Sequence, residues 1–95
     1  MSRTQLQAKF KHAGDFGVAG NYSKVGSARF SSAINQHLNK EGVSVIQGSY
    51  RGNPVVHYLE SRTGLNVMSD RAGNFVSGWK LSPGQSQNVM SRGSL

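Results

Sequence analysis

The spacing of apolar residues changes once along this chain, close to residue 43. Before that point the period is helical. Phe30, Ala33, Ile34, His37 and Leu38 fall at i, i+3, i+4, i+7 and i+8, which predicts a helix over residues 27–38 that leaves through Asn39 and Gly42. A shorter helix is predicted over 4–11, with Thr4 as N-cap and with Lys9 and Lys11 at the end where cations suit the helix dipole. It should stop near Ala13-Gly14, because glycine admits the left-handed conformation that closes helices. Residues 15–26 are polar and carry Gly17, Gly20 and Gly26, so they read as an irregular loop.

After Val43 the period is two, and strands are predicted over 43–50, 55–59, 65–70 and 75–80. The breaks are Arg51-Gly52-Asn53-Pro54, Glu60 to Gly64, and Arg71-Ala72-Gly73-Asn74. All are too short for the crossover that parallel strands need, so the strands form an antiparallel meander. Ser82-Pro83-Gly84-Gln85 has the form of a capping box with Pro at the first helical position, and a brief helix should run from it to about residue 90. The expected class is α+β: N-terminal helices packed on a four-stranded antiparallel sheet, then a short C-terminal helix. No internal repeat or low-complexity segment interrupts this plan.

Composition adds a partner class. The 95 residues suffice for one domain with a small core, and no cysteine is present to staple it or to hold zinc through thiolates. No run reaches the ~18–20 apolar residues of a membrane span, and the start Met1-Ser2-Arg3-Thr4-Gln5 lacks the apolar stretch of a secretory signal. A soluble domain is therefore expected. Eleven Lys and Arg stand against Asp15, Glu41, Glu60 and Asp70, giving a net charge of +7 spread from Arg3 to Arg92. Such a domain is built to meet a polyanion: RNA, DNA or an acidic protein.

The acids also bear on chemistry. Metal-assisted phosphodiester cleavage draws on several carboxylates around hard cations, and here four lie scattered with no paired spacing. No His-x-x-x-His or Cys-His pattern offers a zinc site, and the glycines serve turns, since no Walker-type loop is present. Neither a metal nor another cofactor is expected. Cleavage without metal points to RNA, whose 2′-hydroxyl can attack the adjacent phosphorus. The protein must then supply a base, cations for the phosphorane charge and a proton for the leaving oxygen.

Lys9-Phe10-Lys11-His12 has the residue types for that task. His12 stands at a helix-to-loop transition beside two lysines that should lower its pKa, whereas His37 on the apolar stripe and His57 in mid-strand read as structural. In Phe75-Val76-Ser77-Gly78-Trp79-Lys80, strict alternation puts Phe75, Ser77 and Trp79 on one face. Trp79 taken alone reads as a core residue, but a core face gains nothing from a serine between two aromatics. A substrate face would use Ser77 as a donor to phosphate and Trp79 as a stacking platform for an unpaired base.

These two segments, Lys9-Phe10-Lys11-His12-Ala13-Gly14-Asp15-Phe16-Gly17 and Ser77-Gly78-Trp79-Lys80-Leu81-Ser82-Pro83, resemble the C-terminal nuclease domains of the colicin D family. Val45-Ile46-Gln47-Gly48, His57-Tyr58, Thr63-Gly64-Leu65-Asn66-Val67 and Gly93-Ser94-Leu95 extend the resemblance over nearly the whole chain from Lys9. It implies a fold of the barnase, RelE and colicin E nuclease type. It also implies the toxic domain of a colicin D-like bacteriocin or a related contact-delivered toxin, the C-terminal part of a larger secreted protein, that acts in the cytoplasm of a target bacterium. The implied activity is metal-free cleavage of arginine tRNAs in the anticodon loop, leaving a 2′,3′-cyclic phosphate. His12, Lys11, Lys9 and Ser77 would form the catalytic set, with Trp79 and Lys80 holding substrate. A small acidic immunity protein would cover the same cations, and the domain would make no membrane contact once delivered. The competing reading is a non-catalytic RNA- or ribosome-binding module, which accounts for the charge and for Trp79 but not for the clustering of Lys9, Lys11 and His12.

Overall fold

The computed structural model describes residues 3–20 and 23–95, and the side chains from Gln5 onward within them except that of Leu6. Helix α1 (Arg3–Lys9) runs into a 3-10 helix (Phe10–Phe16), followed by α2 (Lys24–Leu38). Strands β1 (Ser44–Tyr50), β2 (Asn53–Glu60), β3 (Leu65–Ser69) and β4 (Phe75–Lys80) come next, then α3 (Pro83–Arg92). The four strands form one antiparallel sheet in the order β1-β2-β3-β4, the expected meander. The Thr4 cap expected for the first helix lies outside the described side chains.

Two departures from the periodicity reading lie in the N-terminal third. The chain does not open into a loop after Ala13; it tightens into a 3-10 helix that ends at Gly17, which is left-handed at φ 79°. Phe10 and Ala13 are buried along this segment, so core packing holds a geometry that is seldom sustained for so many residues. Helix α2 starts three residues before the expected residue 27, because the Ser23 hydroxyl accepts from the Gly26 amide (2.9 Å) and satisfies one of the free donors of the first turn. At the other end of the chain the capping box forms as expected: Ser82 accepts from the Gln85 amide while the Gln85 side chain accepts from Ser82 N (3.0 Å).

The sheet separates two small cores. On one face Phe10, Ala13, Val18, Phe30, Ile34, Val67 and Phe75 pack together. Phe30 is at the centre, edge-on to Phe10, Phe16 and Phe75 with ring centroids 5.7, 5.6 and 6.1 Å away. On the other face α3 brings Val89 onto Leu59 and Leu81, flanked by Ile46, Trp79 and Leu95. Residues 93–95 lie alongside β1, joined by Ser49 N to Gly93 O (2.8 Å), Leu95 N to Ser49 O (3.0 Å) and Arg51 N to Leu95 O (3.0 Å). Only glycine serves at position 48, because a Cβ there would run into the Gly93 backbone.

A bulge in β4 corrects the expected facing of its side chains. Met68 pairs with Ser77 but Ser69 pairs with Phe75, so Val76 is an extra residue in β4. Phe75 is therefore turned to the Phe30 core, while Ser77 and Trp79 face the α3 side. The Val76 carbonyl, displaced from the ladder, accepts from the Gln5 side chain, which ties α1 to the β4 edge. The first helix and the 3-10 helix consequently lie along β4, and this places Lys9 to His12 beside Trp79.

Candidate active site

A cleft of about 350 Å³ opens where the 3-10 helix, the α3 side of the sheet and the β1–β2 turn meet. Lys9, Lys11 and His12 form one wall, and Trp79 and Gln85 another; Tyr50, Arg51 and Leu95 close it. The rings of His12 and Trp79 are 5.6 Å apart and inclined by 33°. Tyr50 approaches Trp79 to 5.7 Å, so two aromatic side chains from the opposite edge strands of the sheet meet here.

His12 is half-buried, and its pKa is lowered. Burial is the largest cause and Lys11 the next; Asp15 opposes them, and Lys9 adds a smaller push down. The lysines alone suggested this direction from the sequence; loss of solvent around the ring is the stronger effect. At neutral pH the imidazole is accordingly uncharged, with a lone pair to take a proton. Asp15 is held at the rim of this region, its Oδ2 accepting from Lys80 N (2.9 Å). Among the described residues no three His, Asp or Glu side chains converge as metal ligands would.

The other two histidines are committed to structure. His37, 4 % exposed on α2, donates from Nε2 to the Tyr58 carbonyl (2.7 Å). His57 is fully buried and donates from Nε2 to Gly93 O (2.8 Å) and Ser49 O (3.2 Å), while its Nδ1 accepts from Asn66 Nδ2 at 3.1 Å. His57 thus fastens residues 93–95 to β1 and with them the Leu95 side of the cleft.

Of the six residues singled out in the sequence, Lys9, Lys11, His12 and Trp79 come together. Ser77 and Lys80 do not. Ser77 shares the face of Trp79 but is fully buried and does not line the cleft, and among the described residues its Oγ has no hydrogen-bond partner. Lys80, next in the strand after Trp79, alternates to the opposite face and borders a second cleft with Asp15. Tyr50, Arg51 and Gln85 were missed. Arg51 and Gly52 form a two-residue turn between Tyr50 and Asn53, both at positive φ (51° and 81°), a conformation that favours Asn, Asp or Gly at the first position. An arginine held there, with its guanidinium carbon 5.2 Å from the centre of the Tyr50 ring, is strain of the kind found at functional sites. The signal in the sequence was an aromatic-basic pair at a hairpin tip, which only gains meaning once the tip is known to reach the cleft.

A family model for colicin D matches residues 5–89. The chain belongs to the colicin D family. A relative from Escherichia coli, Colicin-D, is 38% identical, the match covering 86% of this chain and 12% of that protein. The chain therefore spans about an eighth of the length of this relative. A solved structure described as a ribonuclease from Escherichia coli complexed with its inhibitor protein superposes with a TM-score of 0.83 at 31% identity, covering 96% of this chain and all of that one.

Proposed function

We propose that this member of the colicin D family is a toxin domain: a metal-independent endoribonuclease that cleaves the anticodon loop of tRNA, arginine tRNAs in particular. One observation carries the reading. A half-buried imidazole of lowered pKa sits against an indole and shares a cleft with two lysines and an arginine, with no Asp or Glu side chain in the lining. Neutral His12 takes the proton of the 2′-hydroxyl as O2′ attacks phosphorus. The bond from phosphorus to O5′ breaks, and the leaving oxygen takes a proton from the imidazolium or from water. The products are a 2′,3′-cyclic phosphate and a 5′-hydroxyl. Lys9 and Lys11 stabilise the charge that accumulates on the phosphoryl oxygens, which grows toward the transition state and is thus worth most there. Trp79 and Tyr50 supply aromatic surface for an unpaired base. Ser77 and Lys80 have no step in this scheme.

Total tRNA incubated with the protein in EDTA should yield discrete fragments ending in 2′,3′-cyclic phosphate, mapping to the anticodon loops of arginine tRNAs. Binding without fragments would instead identify a non-catalytic RNA-binding module. The structural relative bound to its inhibitor supports a partner as well: a small acidic immunity protein whose carboxylates meet Lys9, Lys11 and Arg51. Such a protein and a tRNA anticodon stem-loop should compete for this domain, and simultaneous binding of both would move the inhibitor elsewhere. In the cell the domain would form part of a larger secreted bacteriocin and act in the cytoplasm of the target bacterium.

A further inference from the structure

The Gln85 side chain has two ends with different fates. Its Oε1 accepts from Ser82 N (3.0 Å) and from Trp79 Nε1 (3.4 Å). Both partners are N–H donors, so the oxygen must face them and the amide cannot be turned over. Its NH₂ group is left facing away, and among the described residues nothing accepts from it. The side chain lines the cleft beside Trp79 and His12. The capping box that starts α3 therefore also immobilises a neutral double donor at the rim of the indole.

We propose that Gln85 Nε2 reads the edge of the base that stacks on the aromatic wall, selecting bases with a carbonyl at that edge. This rests on the reading of the cleft as an RNA site and deepens it from RNA to a base class. The lysines and Arg51 already supply charge for phosphate, and an amide fixed beside the indole is placed for the edge of a base stacked there. The indole N–H bond holds the amide next to the ring, so a base lying on that ring brings its edge to Nε2. Guanine and uracil present a carbonyl oxygen where adenine and cytosine present an amino group. A fixed donor accepts the first pair and opposes the second, because two donors facing each other leave both unpaired on loss of water.

The chain has one tryptophan, so its fluorescence reports occupancy of this wall directly. The experiment titrates guanosine, uridine, adenosine and cytidine 3′-monophosphates into the wild-type protein and Gln85→Glu. Glutamate keeps an acceptor for Ser82 N and Trp79 Nε1 and is itself a capping-box residue, so α3 and the melting temperature should be retained. It replaces the donor by an acceptor. Wild type should bind the guanosine and uridine nucleotides about tenfold more tightly than the other two, and Gln85→Glu should reverse the order. Equal binding of all four by wild type, absence of any quench, or a uniform loss in Gln85→Glu with the order kept would each overturn the proposal. Cleavage of total tRNA by the same wild-type preparation is measured alongside. Its absence would defeat the nuclease reading, while the nucleotide ranking judges Gln85 separately.

Discussion

Two clefts of the protein lie on either side of the 3-10 helix and the end of β4, and the larger of them is the less suited to chemistry. The larger, about 670 Å³, is bordered by Asp15, His37, Lys40, Glu60, Thr63 and Lys80. Its charges cancel, and most of its polar groups are engaged: Lys40 pairs with the Glu60 carboxylate at 2.7 Å, Thr63 Oγ1 donates to the same carboxylate at 2.7 Å, and His37 is bonded to Tyr58 O. The smaller cleft is lined by Lys9, Lys11 and Arg51 and by no Asp or Glu side chain, and it has an imidazole of lowered pKa and an amide whose NH₂ has no acceptor among the described residues. Volume does not separate the two. The difference is whether the hydrogen-bonding and charge capacity of the walls is spent on the fold or kept for a ligand.

The sharpest way to break this contrast is to exchange the histidines. His12→Ala should lower the single-turnover rate of tRNA cleavage by about 10²–10⁴-fold, the range for a positioned proton carrier, with the melting temperature and tRNA binding kept. His37→Ala should act in the opposite way, lowering thermal stability while the chemical step survives in the folded fraction. A His37 variant that was stable but inactive would move the chemistry to the larger cleft.

Lys11→Ala should cost rate too and should also move a pKa. His12 is depressed in part by Lys11, so its removal should raise the imidazole pKa. The base must be uncharged to act; cleavage by wild type should therefore be independent of pH around neutrality and decline in acid. In Lys11→Ala that decline should begin at higher pH. An unmoved acid limb would show that Lys11 does not act on His12. Lys11→Arg, with charge restored but not the compact ammonium, should recover only part of the rate.

Trp79→Ala should weaken binding of a single-stranded anticodon-loop RNA by ~1–3 kcal/mol, the usual range for a stacked base. Because Trp79 also packs beside Leu59, Leu81 and Val89, Trp79→Phe serves as the companion variant: it should keep most of the fold and part of the binding. Equal affinity in all three proteins, by fluorescence anisotropy of labelled RNA, would remove the platform.

The smallest effect belongs to the larger cleft. The Glu60 carboxyl is held below the ordinary carboxylate range, first by the hydrogen bond with Lys40 and next by that from Thr63. A carboxyl lowered in the folded state stabilises the protein above its unfolded pKa and loses that contribution as pH falls through the folded value. Melting temperatures of wild type and Glu60→Gln should therefore differ at pH 7 and converge in acid below the ordinary carboxylate range. Lys40 is 56 % exposed, so solvent and salt keep the difference modest. A gap that persisted at low pH would assign the effect to packing.

Periodicity and turn chemistry were enough to determine the strand order, the antiparallel pairing and the Ser82 cap, because these depend on neighbours within a few residues of one another. The strand bounds followed to within two residues. Lys9, Lys11 and His12 were likewise legible, since a basic pair beside a histidine states its chemistry locally. What the tertiary structure alone decided is of another kind. Whether residues 10–16 coil or loosen depends on Phe30 waiting across the core; which way Phe75 faces depends on one extra residue in β4, invisible to strict alternation. Ser77 and Trp79 lie two apart on one face, yet one is sealed and the other half-open, because only Trp79 is long enough to reach the cleft. Tyr50, Arg51 and Gln85 join His12 from 38 to 73 residues away in the sequence. No local pattern encodes such a meeting: it depends on the sheet bringing its two edge strands under one helix end.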